Sequence, residues 1–217
     1  MKKILFSLAG LFFILTAKAQ NGNSEYGFRL GLTAHPTFGW VKAEGGESGS
    51  ASMGFSYGVI GDFNFAENYS FSTGLTLTTI NGRVTYPILD KNAPISVLAV
   101  PADLKYKIQY IELPLTLKLK TSGENVLRGY GQFGLSGGIR ISAKERDYQA
   151  DTERNAGSLI SLFRAGLVVG AGAEYAVSKS TSLLIGLSYN NGFTSISRND
   201  DQDIRNHYIS LNLGIFF

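Results

Sequence analysis

Cysteine is absent from this chain, which excludes disulfides, thiolate metal sites and a lipid anchor on an N-terminal cysteine. Proline is scarce, 5 of 217 residues against 26 glycines, a balance that suits long strands and tight turns and excludes collagen-like or proline-rich disordered architecture. Histidine is confined to His35 and His207, which leaves little material for imidazole chemistry. No apolar run approaches the roughly 20 residues that a helix needs to cross a bilayer. Charge of one sign is also lacking in the body of the chain: 20 Lys and Arg stand against 17 Asp and Glu, and Lys2, Lys3 and Lys18 account for the whole excess. A basic footprint for nucleic acid is therefore missing, and no nucleic-acid partner is expected.

What is present begins with an address. Lys2 and Lys3, the apolar run from Ile4 to Leu15 and the small-x-small stop Ala17-Lys18-Ala19 form the pattern of a cleavable secretory signal peptide over residues 1–19, with Gln20 as the expected mature start. The remainder, 20–217, is of a length that suits one domain. Within it, eight segments alternate fatty with small or polar residues: Tyr26 to His35, Met53 to Phe65, Tyr69 to Ile80, Lys107 to Lys120, Arg128 to Ala143, Ile160 to Tyr175, Thr181 to Phe193 and His207 to Phe217. A period of two is the mark of a strand with two unlike faces. The connections alternate as well. Short turns around Glu67, Gly123 and Ser178 take turns with long stretches over Pro36 to Ser52, Asn81 to Tyr106, Lys144 to Leu159 and Thr194 to Asn206. Short periplasmic turns and long external loops are the pattern of an all-β, eight-stranded antiparallel up-and-down transmembrane β-barrel in the outer membrane.

The two faces differ in size and charge. One carries Phe55, Tyr57, Leu75, Leu113, Leu115, Leu117, Leu119, Leu135 and Leu187; the other is mostly Gly, Ser and Thr, with Arg29, Asp62, Glu112, Lys118, Lys120, Arg140, Arg164 and Glu174. Eight strands enclose a space that side chains barely fill, so the small set belongs inside and the bulky set against lipid. The charges need partners, which an enclosed polar interior supplies and hydrocarbon does not. An interior cluster is expected, with Glu112, Arg140 and Arg164 toward the loops, and Arg29, Asp62, Lys118 and Glu174 toward the turns. The register predicts that Glu112 touches at least one of the two arginines near it. Aromatics at both strand ends, including Phe63, Phe65, Tyr69 and Tyr175 by the turns and Trp40, Tyr106, Tyr110, Phe163 and Phe193 by the loops, are expected to form interfacial girdles.

The stretch Tyr110-Ile111-Glu112-Leu113-Pro114-Leu115-Thr116-Leu117-Lys118-Leu119-Lys120 resembles the Tyr-Leu-Glu-Ile-Pro-Leu strand of the PorT-like outer-membrane β-barrel family, best known from Bacteroidota. Gly129-Tyr130-Gly131-Gln132-Phe133-Gly134, the glycine-rich run from Gly166 to Tyr175 and Leu187-Ser188-Tyr189-Asn190-Asn191-Gly192-Phe193 are similar to later strands of that family. The resemblance implies an eight-stranded outer-membrane barrel and carries no catalytic residue set with it. Pro114 removes a ladder donor. With Tyr110 and Ile111 both fatty, the alternation slips just before it, which predicts a β-bulge there.

Other motifs have blander explanations. Gly129 to Gly134 spells the dinucleotide fingerprint, but alternation continues through Leu135 and Ile139 where a helix would have to begin. An outer-membrane hydrolase or acyl-transferase with a rim site near His35 and His207 is the rival to a non-enzymatic barrel. Parity opposes it, since His35 shares the inward set with Arg29 and His207 the outward set with Ile209. No cofactor and no metal are expected. The working parts are expected in the external loops, as a binding or assembly module with a possible protein partner, or a purely structural one, beside the lipid bilayer of the outer membrane. The Asn81 to Tyr106 connection is unusually apolar, with Ile88, Leu89, Ile95, Val97, Leu98 and Val100 among three prolines. Those six residues are the candidate partner-binding loop; the alternative is that strands three and four continue above the membrane as a hairpin and fold their fatty side over the barrel mouth.

Overall fold

The computed structural model describes residues 27–43, 48–88, 100–122, 126–147, 152–158, 160–196 and 204–217. Aromatic and branched residues alternating with small polar ones fit a pleated surface, and nine strands form among these residues: β1 (Phe28–Ala43), β2 (Ser48–Ala66), β3 (Tyr69–Ile88), β4 (Val100–Lys120), β5 (Leu127–Asp147), β6 (Thr152–Asn155), β7 (Phe163–Ala176), β8 (Ser182–Gly192) and β9 (Ile204–Phe216). Eight of them make a closed antiparallel barrel in the order β4, β3, β2, β1, β9, β8, β7, β5, and the pairing of β4 with β5 completes the ring. Closure satisfies every edge, the condition for a sheet to sit in hydrocarbon. β6 stands outside the ring and pairs only with the loop end of β5, from Lys144↔Asn155 to Asp147↔Thr152.

Several strands outrun their expected lengths toward the loops, whereas β7 begins at Phe163 rather than Ile160 and β8 ends at Gly192 rather than Phe193. Much of the expected Pro36 to Ser52 loop is strand, as β1 runs to Ala43 and β2 begins at Ser48. Likewise β3 and β4 stay paired up to Ile88↔Val100, which is the hairpin continuation expected as the alternative to a partner-binding loop. An antiparallel ladder needs only backbone partners, so it continues beyond the point where one face must be fatty; alternation marks the stretch against lipid, not the end of the strand.

The wall faces outward with its bulky set. Phe55, Tyr57, Leu75, Leu113, Leu115, Leu135 and Leu187 are all exposed, while Thr76, Thr78, Thr116, Ser136 and Ser210 are buried inside. Around the turn end Phe63, Phe65, Tyr69 and Tyr175 are exposed as well. Tyr110 corrects the expected loop-end girdle: it is fully buried, with Ile111 exposed next to it. Alternation in β4 therefore runs unbroken past Pro114. The bulge lies instead on β5, where Gln109↔Ser142 is followed by Tyr110↔Arg140 and one residue is left over. Pro114 is accommodated on the other side, where the β3–β4 ladder has a gap between Thr73↔Leu115 and Thr76↔Glu112.

The inside is layered. At the loop end Ile80, Ile108, Tyr110 and Ala143 from the wall pack with Ala156, Ile160 and Ile196 from the connections, forming an apolar plug in the mouth. Hydrogen bonds from the Ala156 amide to the Ala143 carbonyl (3.0 Å) and from the Ser161 amide to the Ile196 carbonyl (2.8 Å) hold those connections in place. Nearer the turns, Tyr130, Leu184 and Phe216 form a second apolar layer. Tyr130 fits because small residues face it: a Cβ at Gly186 would lie 2.3 Å from its hydroxyl oxygen.

Candidate functional site

Two charged layers occupy the barrel, and register explains each. At the turn end Arg29 and Asp62 are paired directly across β1 and β2. Glu174 on β7 comes from the opposite wall, and Arg29 reaches both carboxylates through Nη2, at 3.0 Å to Asp62 and 2.8 Å to Glu174. Lys118 on β4 bridges the same two, at 2.8 and 3.1 Å, with its side chain only 2 % exposed. Ser72 donates its hydroxyl to the second oxygen of Asp62. Aromatic faces back the cations: Arg29 lies 4.5 Å from the centre of the Phe216 ring, and Lys118 lies 5.0 Å from those of Phe216 and Tyr130. Lys120 joins as a third cation, at 3.6 Å from Asp62 and 3.9 Å from Glu174. Such charges persist in an enclosed space only when opposite charges and hydrogen bonds surround them.

At the loop end Glu112, Gly138 and Arg164 fall in one row across β4, β5 and β7. The glycine between them leaves room for the arginine to reach over, since a Cβ there would come within 3.2 Å of Glu112 Cγ. Arg164 Nη1 meets Glu112 Oε1 at 2.9 Å. Its other two nitrogens donate as well: Nη2 to Asn190 Oδ1 at 2.7 Å and Nε to Asn206 Oδ1 at 2.6 Å. Tyr208 donates to Glu112 Oε2 at 2.8 Å, and Asn190 Nδ2 donates to Ser136 Oγ at 2.8 Å and to the Tyr208 hydroxyl at 3.1 Å. Such a buried polar network rigidifies its surroundings, with one orphan among these groups, the Asn206 Nδ2.

Arg140 is not part of this network. It pairs with Tyr110, one inward step closer to the loops, and lies beside Gly157, where a Cβ would come 2.8 Å from its Nη1. Of the two arginines weighed as partners for Glu112, the structure brings Arg164 to it. Asn190, Asn206 and Tyr208 were not singled out from sequence; their inward parity was legible, but nothing in a single strand shows which distant strand will supply a partner.

A cavity of about 120 Å³ lies between the layers, with Thr33, His35, Ser56, Thr78, Gln132 and Asn190 among the residues that border it. It has room for several waters. His35 borders it and hydrogen-bonds Thr33 Oγ1 at 3.0 Å. His207 is on the other side of the wall, its ring centre 5.9 Å from that of Trp40 and 6.4 Å from that of Tyr189. The wall separates the two histidines, so no hydrolytic or metal-binding pair forms from them. Among the described residues no group of three or more potential metal ligands occurs. Of the candidate partner-binding residues, Ile88 and Val100 end β3 and β4; Leu89, Ile95, Val97 and Leu98 lie outside the described residues.

A closed eight-stranded barrel with a fatty exterior and a filled, charge-bearing interior is an integral outer-membrane protein by construction. The chain belongs to the outer membrane protein beta-barrel domain family, whose model matches residues 18–198. No curated protein sequence matches it. Among solved structures it is similar to Neisserial surface protein A, with a TM-score of 0.50 at 16 % identity, over 90 % of this chain and 98 % of that one. It is also similar to OprG from Pseudomonas aeruginosa, with a TM-score of 0.48 at 13 % identity, over 90 % of this chain and 99 % of that one. The outer membrane protease OmpT from Escherichia coli gives a TM-score of 0.45 at 10 % identity, over 88 % of this chain and 94 % of that one. At these identities the likeness is one of fold.

Proposed function

We propose that the protein is a non-enzymatic, PorT-like outer-membrane barrel of the Bacteroidota type, in which the interior clusters are structural and the loop end is a surface for binding or assembly. The observation that carries this reading is the uneven height of the wall. β3, β4 and β5 have 20, 21 and 21 residues, whereas β8 and β9 have 11 and 13. About 9–11 residues suffice to cross the bilayer. The short turns align at one end, so the surplus of the long strands stands beyond the membrane at the other, as a sheet rising from one side of the mouth. A rigid projection of this kind is a platform for recognition. Ile88 and Val100 are the last pair of that projection, and a docking role for the connection between them gives its apolar residues Leu89, Ile95, Val97 and Leu98 a purpose.

Deleting Pro87 to Pro101 tests the reading. The shortened barrel is expected to fold and insert normally, while a membrane partner recovered with the intact chain is lost. If no partner is recovered with the intact chain, or if the deletion prevents folding, the docking role falls. The rival hydrolase or acyl-transferase reading at His35 and His207 gains no support from rings on opposite faces of the wall.

A further inference from the structure

The turn-end cluster does not balance. Arg29, Lys118 and Lys120 bring three cations to two carboxylates, Asp62 and Glu174. Arg29 and Lys118 take the close positions on both. Lys120 is left at 3.6 and 3.9 Å, beyond hydrogen-bond reach of either. Among the described residues its ammonium makes one hydrogen bond, to Asn64 Oδ1 at 3.0 Å, although the side chain is only 5 % exposed. An ammonium has three donors, so part of its capacity is directed elsewhere. Arg29 Nε is buried without a partner. Both residues border a recess of about 370 Å³ at the turn-end mouth, and Arg128 and Lys179 line it too, so that among the described residues four cations face two carboxylates, Glu67 and Glu174.

We propose that this recess is an oxyanion-binding site of the phosphate class, with Lys120 as its central ligand and Arg29, Arg128 and Lys179 around it. Lys120 itself is enclosed and neither carboxylate meets it closely, so an anion seated on it offsets a costly buried charge. Cations converging from separate strands suit a tetrahedral phosphate, which lysine binds as a point charge, better than a planar carboxylate that one arginine would clamp. The exposed aromatics Phe65, Tyr69 and Tyr175 put the recess near headgroup depth. The phosphate is therefore that of a phospholipid headgroup or of a small soluble phosphate. This inference goes beyond the loop-end role and does not depend on it.

The test uses the full mature chain folded in an uncharged maltoside detergent at low salt. Inorganic phosphate is titrated by calorimetry, and a short-chain phosphatidylglycerol is added to the same micelles in a second series and counted by native mass spectrometry. Binding in the first series points to a soluble phosphate, and binding in the second alone points to a headgroup. In either case Lys120→Gln is expected to weaken it about tenfold or more, and Lys42→Gln, at the loop end, to leave it unchanged. If Lys120→Gln does not fold, the double variant Arg128→Gln/Lys179→Gln, on the recess wall, is expected to weaken binding several-fold. Absence of binding in both series, binding indifferent to these variants, or equal weakening by Lys42→Gln overturns the site.

Discussion

Arg164 shows how one residue can organise a layer. Its guanidinium meets Glu112, Asn190 and Asn206, which come from three other strands, and its side chain has no exposure. Removing one partner of a buried ion pair leaves the other charge stranded, at a typical cost of about 3–5 kcal/mol. Glu112→Ala is therefore expected to destabilise the barrel by that amount in urea unfolding from lipid vesicles. Glu112→Leu combined with Arg164→Leu should cost less than the two single changes added together, because neither charge is then left alone. Strict additivity would show that the pair is not coupled. Leu115 makes the complementary case on the outer face. It is 43 % exposed beside the inward-facing Thr116, so Leu115→Arg should cost about 2–4 kcal/mol if the site lies near the midplane. A near-neutral effect in the same assay would mean that the face does not meet hydrocarbon.

At the scale of the strand, what was legible in the sequence was what a single strand decides. Leu113, Leu115, Leu117 and Leu119 alternate with Glu112, Thr116, Lys118 and Lys120, and that period fixes both the strand and its inner face. The apolar letters of the Asn81 to Tyr106 connection also allowed β3 and β4 to continue as a hairpin, and the ladder does run on to Ile88↔Val100. The plug was not legible. Ile80, Ile108 and Tyr110 have inward parity, but the residues that cover them, Ala156, Ile160 and Ile196, come from connections far along the chain. The β5 bulge was misplaced for a related reason: a fatty Tyr110 next to Ile111 reads as a slip in alternation, whereas an aromatic that packs inside against the plug produces the same letters without one. Packing between strands gives a test of its own. Tyr130 on β5 lies against Gly186 on β8, so Gly186→Ala should cost about 1–3 kcal/mol by overpacking. Trimming the ring as well, in Gly186→Ala/Tyr130→Leu, should recover part of that loss; a double variant no better than the sum of its parts would mean that the ring is not what the glycine makes room for.

For the molecule as a whole, the order of layers along the axis decides what can pass. From the loops inward come the apolar plug, the Glu112–Arg164 network, a cavity of about 120 Å³, the Tyr130 and Phe216 rings, and the five-residue charge cluster at the turns. An ion moving along this axis would have to displace buried side chains in at least two layers, each held by contacts between distant strands. Eight strands do not leave an aqueous channel around such contents. The protein reconstituted in planar bilayers is therefore expected to give no conductance steps above the lipid alone, and vesicles containing it should not swell in small sugars. Steady single-channel currents from the unmodified chain would show that one of the layers opens, and would move the working part of the molecule from its rim to its core. A silent barrel leaves the tall side of the loop end and the cationic recess at the turn end as the surfaces where partners can be met. A closed interior favours such a division, because it holds the wall rigid while both ends remain open to their own compartments.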